Sequence, residues 1–394
     1  MSDLPKGFFV DGIHCGIKKN GKKDLSLFYS VKPCVAAGMF TRNIFKAAPV
    51  IVSQKNIKNK ISAIVVNSGC ANACTGKRGI KDAEKMCELT AKNLNVKPEN
   101  ILVASTGVIG QFLPMDKIKN GIEKLTQEPK NSRTQELSAV EGIMTTDTFP
   151  KILSSQFSIL NSDVIIWGCA KGSGMIEPNL ATMLSFILTD ANITKSALNK
   201  ALKIAVEKSF NCLTIDGDTS TNDSVFILAN CKAKNKIISE DKNFELFCNK
   251  LTKVCLELTK MLARDGEGAT KLIAVNIKNA KTETDAKRIA KTVANSPLVK
   301  TAIYGNDANW GRIVAAIGRS GIDISPKRID IAFDNLCVFR KGQPTNFSEE
   351  KVKKIISKKD VSVNINLNTG NKTATVYTCD FSEGYIKVNA SYRT

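Results

Sequence analysis

The chain has 394 residues, 43% of them hydrophobic, which is enough for a large core and for more than one domain. It carries a formal net charge of +20 and a single histidine, His14. One histidine rules out a His-rich metal site, and a Ser-His-Asp triad would have to use His14 itself.

The opening stretch, MSDLPKGFFVDG, has no basic head followed by a long apolar run, so no secretory signal is expected. His14 stands alone in a short polar stretch and reads as structural. A first strand is expected over 62–66 and a helix over 82–94. Strand 101–105 follows, then helix 115–125, then strand 164–169. The next strand, 183–188, is apolar on both faces, as for a strand buried between layers. Helices are expected over 195–210 and 243–263; in the first, Ala197, Leu198, Ala201, Leu202 and Ala205 recur at helical spacing. Strands interleaved with helices imply α/β layers. The last third reads as strand 272–277, helix 284–293 and strand 329–333. Segments 361–367 and 372–379 alternate apolar and polar around Asn368-Thr369-Gly370-Asn371, a hairpin signal. These elements suggest a smaller α+β domain beginning near residue 280. No apolar run approaches the ~20 residues that a membrane helix needs.

Twelve cysteines are scattered without CxxC spacing, Cys70 and Cys74 being the closest pair. Reduced thiols in a cytoplasmic protein are expected. The positive charge raises the question of nucleic acid. The basic residues are mostly lysines spread evenly among asparagines, aromatics are only 6%, and no nucleic-acid motif occurs. A solvated surface that also draws in small anions such as N-acyl amino acids fits better. If so, kcat/KM should fall with ionic strength. Two phosphate-loop lookalikes fail. Gly69 to Gly76 has too long a spacing before Lys77-Arg78, and Gly172-Ser173-Gly174 meets Pro178 where a glycine would be required.

The most informative stretch is KGSGMIEPNLATMLSFILTD, residues 171–190. A turn-rich run leads into Ala181-Thr182 and then directly into an apolar strand. A threonine hydroxyl is a weak nucleophile and needs a base. If the bond before Thr182 breaks, its new α-amine, with a reference pKa of about 7.7–8.0, supplies that base from the same residue. On the residues alone, a buried strand threonine is the more ordinary reading.

The segment resembles the cleavage-site signature of the ornithine acetyltransferase family, the bifunctional acetyltransferases of arginine biosynthesis. Asn67-Ser68-Gly69 with Ala71-Asn72-Ala73-Cys74-Thr75-Gly76, Ser105-Thr106-Gly107-Val108-Ile109-Gly110 and Met144-Thr145-Thr146-Asp147-Thr148 also resemble its motifs. Further along, so do Asp216-Gly217-Asp218-Thr219-Ser220-Thr221-Asn222-Asp223 and Asp265-Gly266-Glu267-Gly268-Ala269-Thr270-Lys271. Gly305-Asn306-Asp307-Ala308-Asn309-Trp310-Gly311-Arg312 and the closing Asn389-Ala390-Ser391-Tyr392-Arg393-Thr394 complete the series, in the family's order. Cys70, where the family more often has Asn, and Ala308, where Pro is common, depart from it.

The resemblance implies a layered α/β fold, an N-terminal-nucleophile-like α-β-β-α sandwich, with a smaller C-terminal α+β domain. It implies self-cleavage between Ala181 and Thr182, leaving an α chain (1–181) and a β chain. Residues 182–280 would complete the catalytic domain and 281–394 form the smaller one. Thr182 is then the nucleophile, and Thr106 with Gly107 the oxyanion hole. Thr106-Gly107 follows a strand and offers a hydroxyl and backbone N–H groups, although an ordinary strand-to-turn junction would look the same. The resemblance makes Thr145, Lys171, Thr182, Glu267, Asn389 and Thr394 the substrate-binding residues. Lys171 would hold a carboxylate, against the default of a solvated lysine. Glu267, between glycines, would meet an amino group, and Gly266 would also cap the preceding helix.

The implied reaction moves acetyl from N2-acetylornithine to glutamate through acetyl-Thr182, without metal or organic cofactor, and some members also take acetyl-CoA as donor. Two α and two β chains would form a heterotetramer, with neither nucleic acid nor membrane as partner. Two other readings compete. Related self-cleaving aminopeptidases generally use serine, and Thr182 with the TTDT and DGEGATK motifs argues against them. A basic nucleic-acid binder predicts steep salt dependence and no cleavage.

Overall fold

The computed structural model describes residues 4–127, 132–177 and 183–391. The first strands are β1 (Phe8–Ile13), β2 (Leu25–Phe40), β3 (Ile61–Cys70) and β4 (Ile101–Val108). They are followed by β5 (Lys151–Ile159), β6 (Ser162–Lys171), β7 (Leu184–Thr189) and β8 (Ser224–Ala229). Helices α1 (Ala48–Asn56), α2 (Gly76–Leu94), α3 (Met115–Gln127), α4 (Arg133–Glu141), α5 (Lys195–Glu207) and α6 (Lys242–Arg264) lie between and after them.

β2 makes the architecture. Its first half pairs antiparallel with β1 and β3, from Leu25↔Asn67 to Tyr29↔Ala63. The register then breaks around Val31-Lys32-Pro33, and the second half pairs with β8, from Val35↔Ala229 to Phe40↔Ser224. One strand thereby serves two sheets, β1-β2-β3-β4 and β2-β8-β7-β6-β5. A proline cannot donate to a ladder, so the break falls where it costs least.

Side-chain alternation sorts these strands into layers. Phe28, Ile64, Val66 and Leu102 from the first sheet meet Trp167, Phe186, Leu188, Phe226 and Leu228 from the second in one core. Phe28 and Phe186 stack tilted, with ring centroids 5.0 Å apart. The alternate residues, Ala63, Val65, Ile101 and Val103, face α1, α2 and α3. Val225, Ile227 and Ile187 face α5 and α6. The result is the expected four-layer α-β-β-α sandwich. β7 and β8 run parallel and are buried along their whole length.

The helices start where their caps allow. Thr194 accepts a hydrogen bond from the Ala197 N–H to open α5, and Asp241 accepts from Asn243 and Phe244 to open α6. α5 buries the five residues whose spacing predicts it, but ends at Glu207, before a 3-10 turn at Phe210–Cys212. α2 starts at Gly76, six residues ahead of the expected start.

A separate, six-stranded sheet is built on β9 (Leu272–Ala280), β10 (Asp330–Phe333), β11 (Leu336–Arg340), β12 (Gln343–Pro344), β13 (Asp360–Asn366) and β14 (Lys372–Cys379). Helices α7 (Glu283–Ala294), α8 (Pro297–Tyr304), α9 (Trp310–Gly318), α10 (Glu349–Ile356) and α11 (Glu383–Ser391) accompany it. Its core runs from Ile273 to Val376, so β9 joins this sheet ahead of residue 281. The hairpin expected across 368–371 does not form. β9 lies between the two strands, parallel to β13 and antiparallel to β14. The connection drapes over the end of β9, where Leu367, Thr369 and Gly370 donate to the carbonyls of Lys278 and Asn279. Alternation fixes which face of a strand is buried but not which strand lies beside it.

Candidate active site

A cavity of ≈ 240 Å³ opens where the ends of β4 and β6 meet the starts of β7 and β8. Six of the residues picked out in the sequence line it: Thr106, Gly107, Thr145, Lys171, Glu267 and Asn389. The other three, Ala181, Thr182 and Thr394, lie outside the described residues. Met183, next in the chain after Thr182, does line the cavity. His14 does not; it sits beside Asp24, Nδ1 3.1 Å from the carboxylate.

The Thr106-Gly107 wall is held by close backbone approach. Gly107 has φ +127°, and a Cβ there would lie 2.4 Å from the carbonyl carbon of Gly69 on the parallel neighbour β3. Only glycine permits both the dihedral and the contact. Asn222 ties the same loops together, its Nδ2 donating to the carbonyls of Ala71 (2.6 Å) and Ser105 (2.8 Å). Three separate motifs thus converge on one corner.

Lys171 ends β6 and is buried, and its Nζ donates to Thr106 Oγ1 at 3.1 Å. Burial lowers its pKa from the ordinary lysine value, with Asp147 partly opposing. Asp147 is the hub behind it. Its carboxylate accepts from the Thr145 N–H (3.0 Å), the Gly172 N–H (2.7 Å) and Lys151 Nζ (2.8 Å). Burial would push the Asp147 carboxyl up, but Lys151, Lys171 and these hydrogen bonds hold it well below the usual range. Lys151, fully buried, also pairs with Asp265, which accepts from the Thr148 N–H at 3.0 Å. A buried cation between two carboxylates therefore locks the Thr145 loop, the Lys171-Gly172 junction and the Asp265-Gly266-Glu267 loop together.

Glu267 is positioned by its own N–H, which donates to the Ser173 carbonyl (2.8 Å), and its Oε2 accepts from Asn389 Nδ2 (2.8 Å). Asn389 lies on α11, which is seated against Gly268: a Cβ there would approach Tyr385 N to 2.3 Å. Tyr385 adds a phenol to the wall, its pKa pushed up to about 12 by burial and by the charges of Asp216 and Glu267. Asp216 faces in from the opposite loop and accepts from the N–H groups of Met175 (2.6 Å) and Ile176 (2.8 Å).

The cavity thus has a hydroxyl and a backbone N–H at a glycine on one side, a buried lysine beside them, and a carboxylate–amide pair across from them. That set can polarise a carbonyl, hold a carboxylate and receive an amine. Sequence reasoning assigned no role to Asp147, Lys151, Asp216, Asn222, Asp223 or Tyr385. Motif resemblance contained all but Lys151 and Tyr385, yet buried charges give no periodic signal by which to find them.

A model of the ArgJ family matches residues 9–394. The arginine biosynthesis bifunctional protein ArgJ 1 of Clostridium acetobutylicum is 50% identical over 403 residues, 100% of this chain and 97% of the relative. ArgJ of Oceanobacillus iheyensis is 47% identical over 393 residues, 99% of this chain and 95% of that one. The crystal structure of the arginine biosynthesis bifunctional protein argJ from Bacillus halodurans shares 44% identity at a TM-score of 0.52, over 54% of this chain and 100% of that chain. Fold, cavity and relatives together define an acyltransferase of amino-acid biosynthesis. Within that class, the chain belongs to the ArgJ family, whose place is arginine biosynthesis.

Proposed function

We propose that this enzyme transfers acetyl from N2-acetyl-L-ornithine to L-glutamate through an acetyl-threonine at Thr182. The observation that carries the reading is the convergence of Thr106, Gly107, Thr145, Lys171, Glu267 and Asn389 on one cavity that Met183 also lines. The chain cuts itself between Ala181 and Thr182, and the new α-amine takes the proton of the Thr182 hydroxyl as it attacks the acetyl carbonyl. The oxyanion is met by the Thr106 hydroxyl and the Gly107 N–H. Lys171 holds the substrate carboxylate, while Glu267, steadied by Asn389, takes an amino group of ornithine. Thr145 and Thr394 complete the substrate contacts. Ornithine leaves, glutamate enters, and its amine accepts the acetyl group, restoring Thr182.

Relatives named bifunctional support acetyl-CoA as a second donor. We further propose that chains 1–181 and 182–394 assemble as two of each, in the cytoplasm, with the stretch from 182 to α6 completing the sandwich and the chain from β9 onward forming the smaller unit. No helix among the described residues is long and apolar enough to cross a membrane.

Intact-mass analysis of the wild type and Thr182→Ala tests the reading. From 42.8 kDa, the wild type should give fragments of about 20 and about 23 kDa, and the variant should stay whole. A fully active wild type that is never cut would sink the mechanism. Acetyl transfer to glutamate is then assayed with acetylornithine and with acetyl-CoA separately. Activity with acetyl-CoA alone would overturn the donor.

A further inference from the structure

Asp223 lines the cavity but has no part in the acyl-transfer scheme. It directly precedes β8 and is 2% exposed. Among the described residues its Oδ2 has no hydrogen-bond partner. A buried, unpartnered carboxyl oxygen is costly and rare in folded proteins. Asp82 Oδ2 is in the same condition, but it lies away from the cavity on α2, 3.8 Å from the Arg78 guanidinium. Asp216, by contrast, spends its carboxylate on three backbone N–H groups.

The register brings the chain at Asp223 alongside Met183. Leu184 pairs with Ser224, and the Ser224 N–H donates to the Met183 carbonyl at 2.9 Å. Met183 follows Thr182 directly in sequence. Burial raises the Asp223 carboxyl well above the usual range, and Ser220 and the Lys171 charge offset this only in part. The carboxyl therefore keeps its proton to higher pH than an exposed aspartate does.

We propose that Asp223 is the proton shuttle of chain cleavage, serving the Thr182 nitrogen as the bond from Ala181 breaks. The proposal rests on cleavage at Ala181–Thr182. The Thr182 Oγ forms a bond to the Ala181 carbonyl carbon, and the C–N bond breaks. The nitrogen takes the proton of Asp223, and the Asp223 carboxylate regains the proton lost by the hydroxyl. Water then hydrolyses the resulting ester to the Ala181 carboxylate and the Thr182 hydroxyl, leaving an amine at the start of the second chain.

The test follows cleavage of freshly synthesised full-length chain by intact mass, with and without hydroxylamine, for wild type, Thr182→Ala and Asp223→Asn. A wild type that stays whole, or a Thr182→Ala chain that is cut, removes the parent reading whatever Asp223 does. With the wild type cut and Thr182→Ala whole, Asp223→Asn should be cut at least ~100-fold more slowly, the size of a lost general acid. Hydroxylamine, which opens esters, should not restore it, because the ester never forms. Cutting at the wild-type rate overturns the proposal. So does rescue by hydroxylamine, which would place the block after the acyl shift.

If Asp223→Asn does not fold, by near-ultraviolet circular dichroism against Thr182→Ala, the wild-type pH profile decides. Among the described residues, the titratable groups sharing the cavity with Asp223 are Lys171 on β6, Asp216 and Asp218 ahead of β8, Glu267 after α6 and Tyr385 on α11. The acid works only while protonated, so the rate should fall as pH rises above the ordinary carboxyl range. A rate that stays flat from about pH 5 to about pH 9 overturns the proposal.

Discussion

At Gly107 one methyl group separates a working site from a broken one. A Cβ would meet the Gly69 carbonyl carbon at 2.4 Å and the Cys70 nitrogen at 2.6 Å, both backbone atoms that cannot swing aside. Gly107→Ala should therefore displace β4 from β3 and abolish acetyl transfer, with a lower melting temperature. A variant of unchanged activity and melting temperature would show that this junction gives way. Thr106→Val keeps the shape and removes only the hydroxyl. With Thr106 as the proposed oxyanion donor, kcat should fall by about 10²–10³ and KM should change little. Lys171 makes a prediction about pH. Burial lowers its pKa, so its charge is complete at low pH and is lost as pH rises, earlier than for an exposed lysine. KM for acetylornithine should climb on the alkaline side, below the ordinary lysine value of about 10.4. Lys171→Met should have a high KM at every pH, without that climb.

At the scale of elements, the Asp147–Lys151–Asp265 network joins the Thr145 loop, β5, the Lys171-Gly172 junction and the segment after α6. Lys151→Met leaves two buried carboxylates facing each other without their cation. Removing one partner of a buried pair costs about 3–5 kcal/mol, and denaturant unfolding should show it. Removing Asp147 as well should recover part of that loss; a double variant no better than the single would mean that the pair is not the cause. None of this network was legible in the sequence, because a buried lysine and a surface lysine are spelled alike. What could be read was periodic. The spacing of Ala197, Leu198, Ala201, Leu202 and Ala205 announces α5, and the unbroken apolar run announces β7. β2 escaped notice because Lys32 and Pro33 interrupt it where it passes from one sheet to the other. The β13–β14 segments were legible as strands, but their partner, β9, lies some 80 residues or more upstream, where no local pattern can signal it. The site was legible to the extent that family motifs carried it. The six cavity-lining residues picked out in the sequence span five motifs, whereas Tyr385 lies in none of them.

At the scale of the whole molecule, the sandwich and the smaller sheet do not form separable halves. Leu272 of β9 and Cys379 of β14 belong to the core that α5 and α6 build on the sandwich. Lys300 on α8 is buried and donates to the Ile215 carbonyl (2.8 Å) in the sandwich and to Thr378 Oγ1 (2.7 Å) on β14. The Thr214 N–H donates to the Tyr377 carbonyl, and Glu267 meets Asn389 across the cavity. Each tie runs from one core to the other, so loosening the smaller sheet must also expose the inner wall of the site. Calorimetry should then show one transition in which the two cores melt together, although chains of this size often unfold in steps. Lys300→Met would strand the buried Ile215 carbonyl at about 1–3 kcal/mol, while the Thr378 hydroxyl keeps its bond to the Ala294 carbonyl. The midpoint should fall while the transition stays single, and KM should rise because Ile215 leads directly into Asp216 on the cavity wall. Two resolved transitions in the wild type would show that the cores fold independently. In that case the smaller unit would close the cavity by docking onto it rather than by sharing its core.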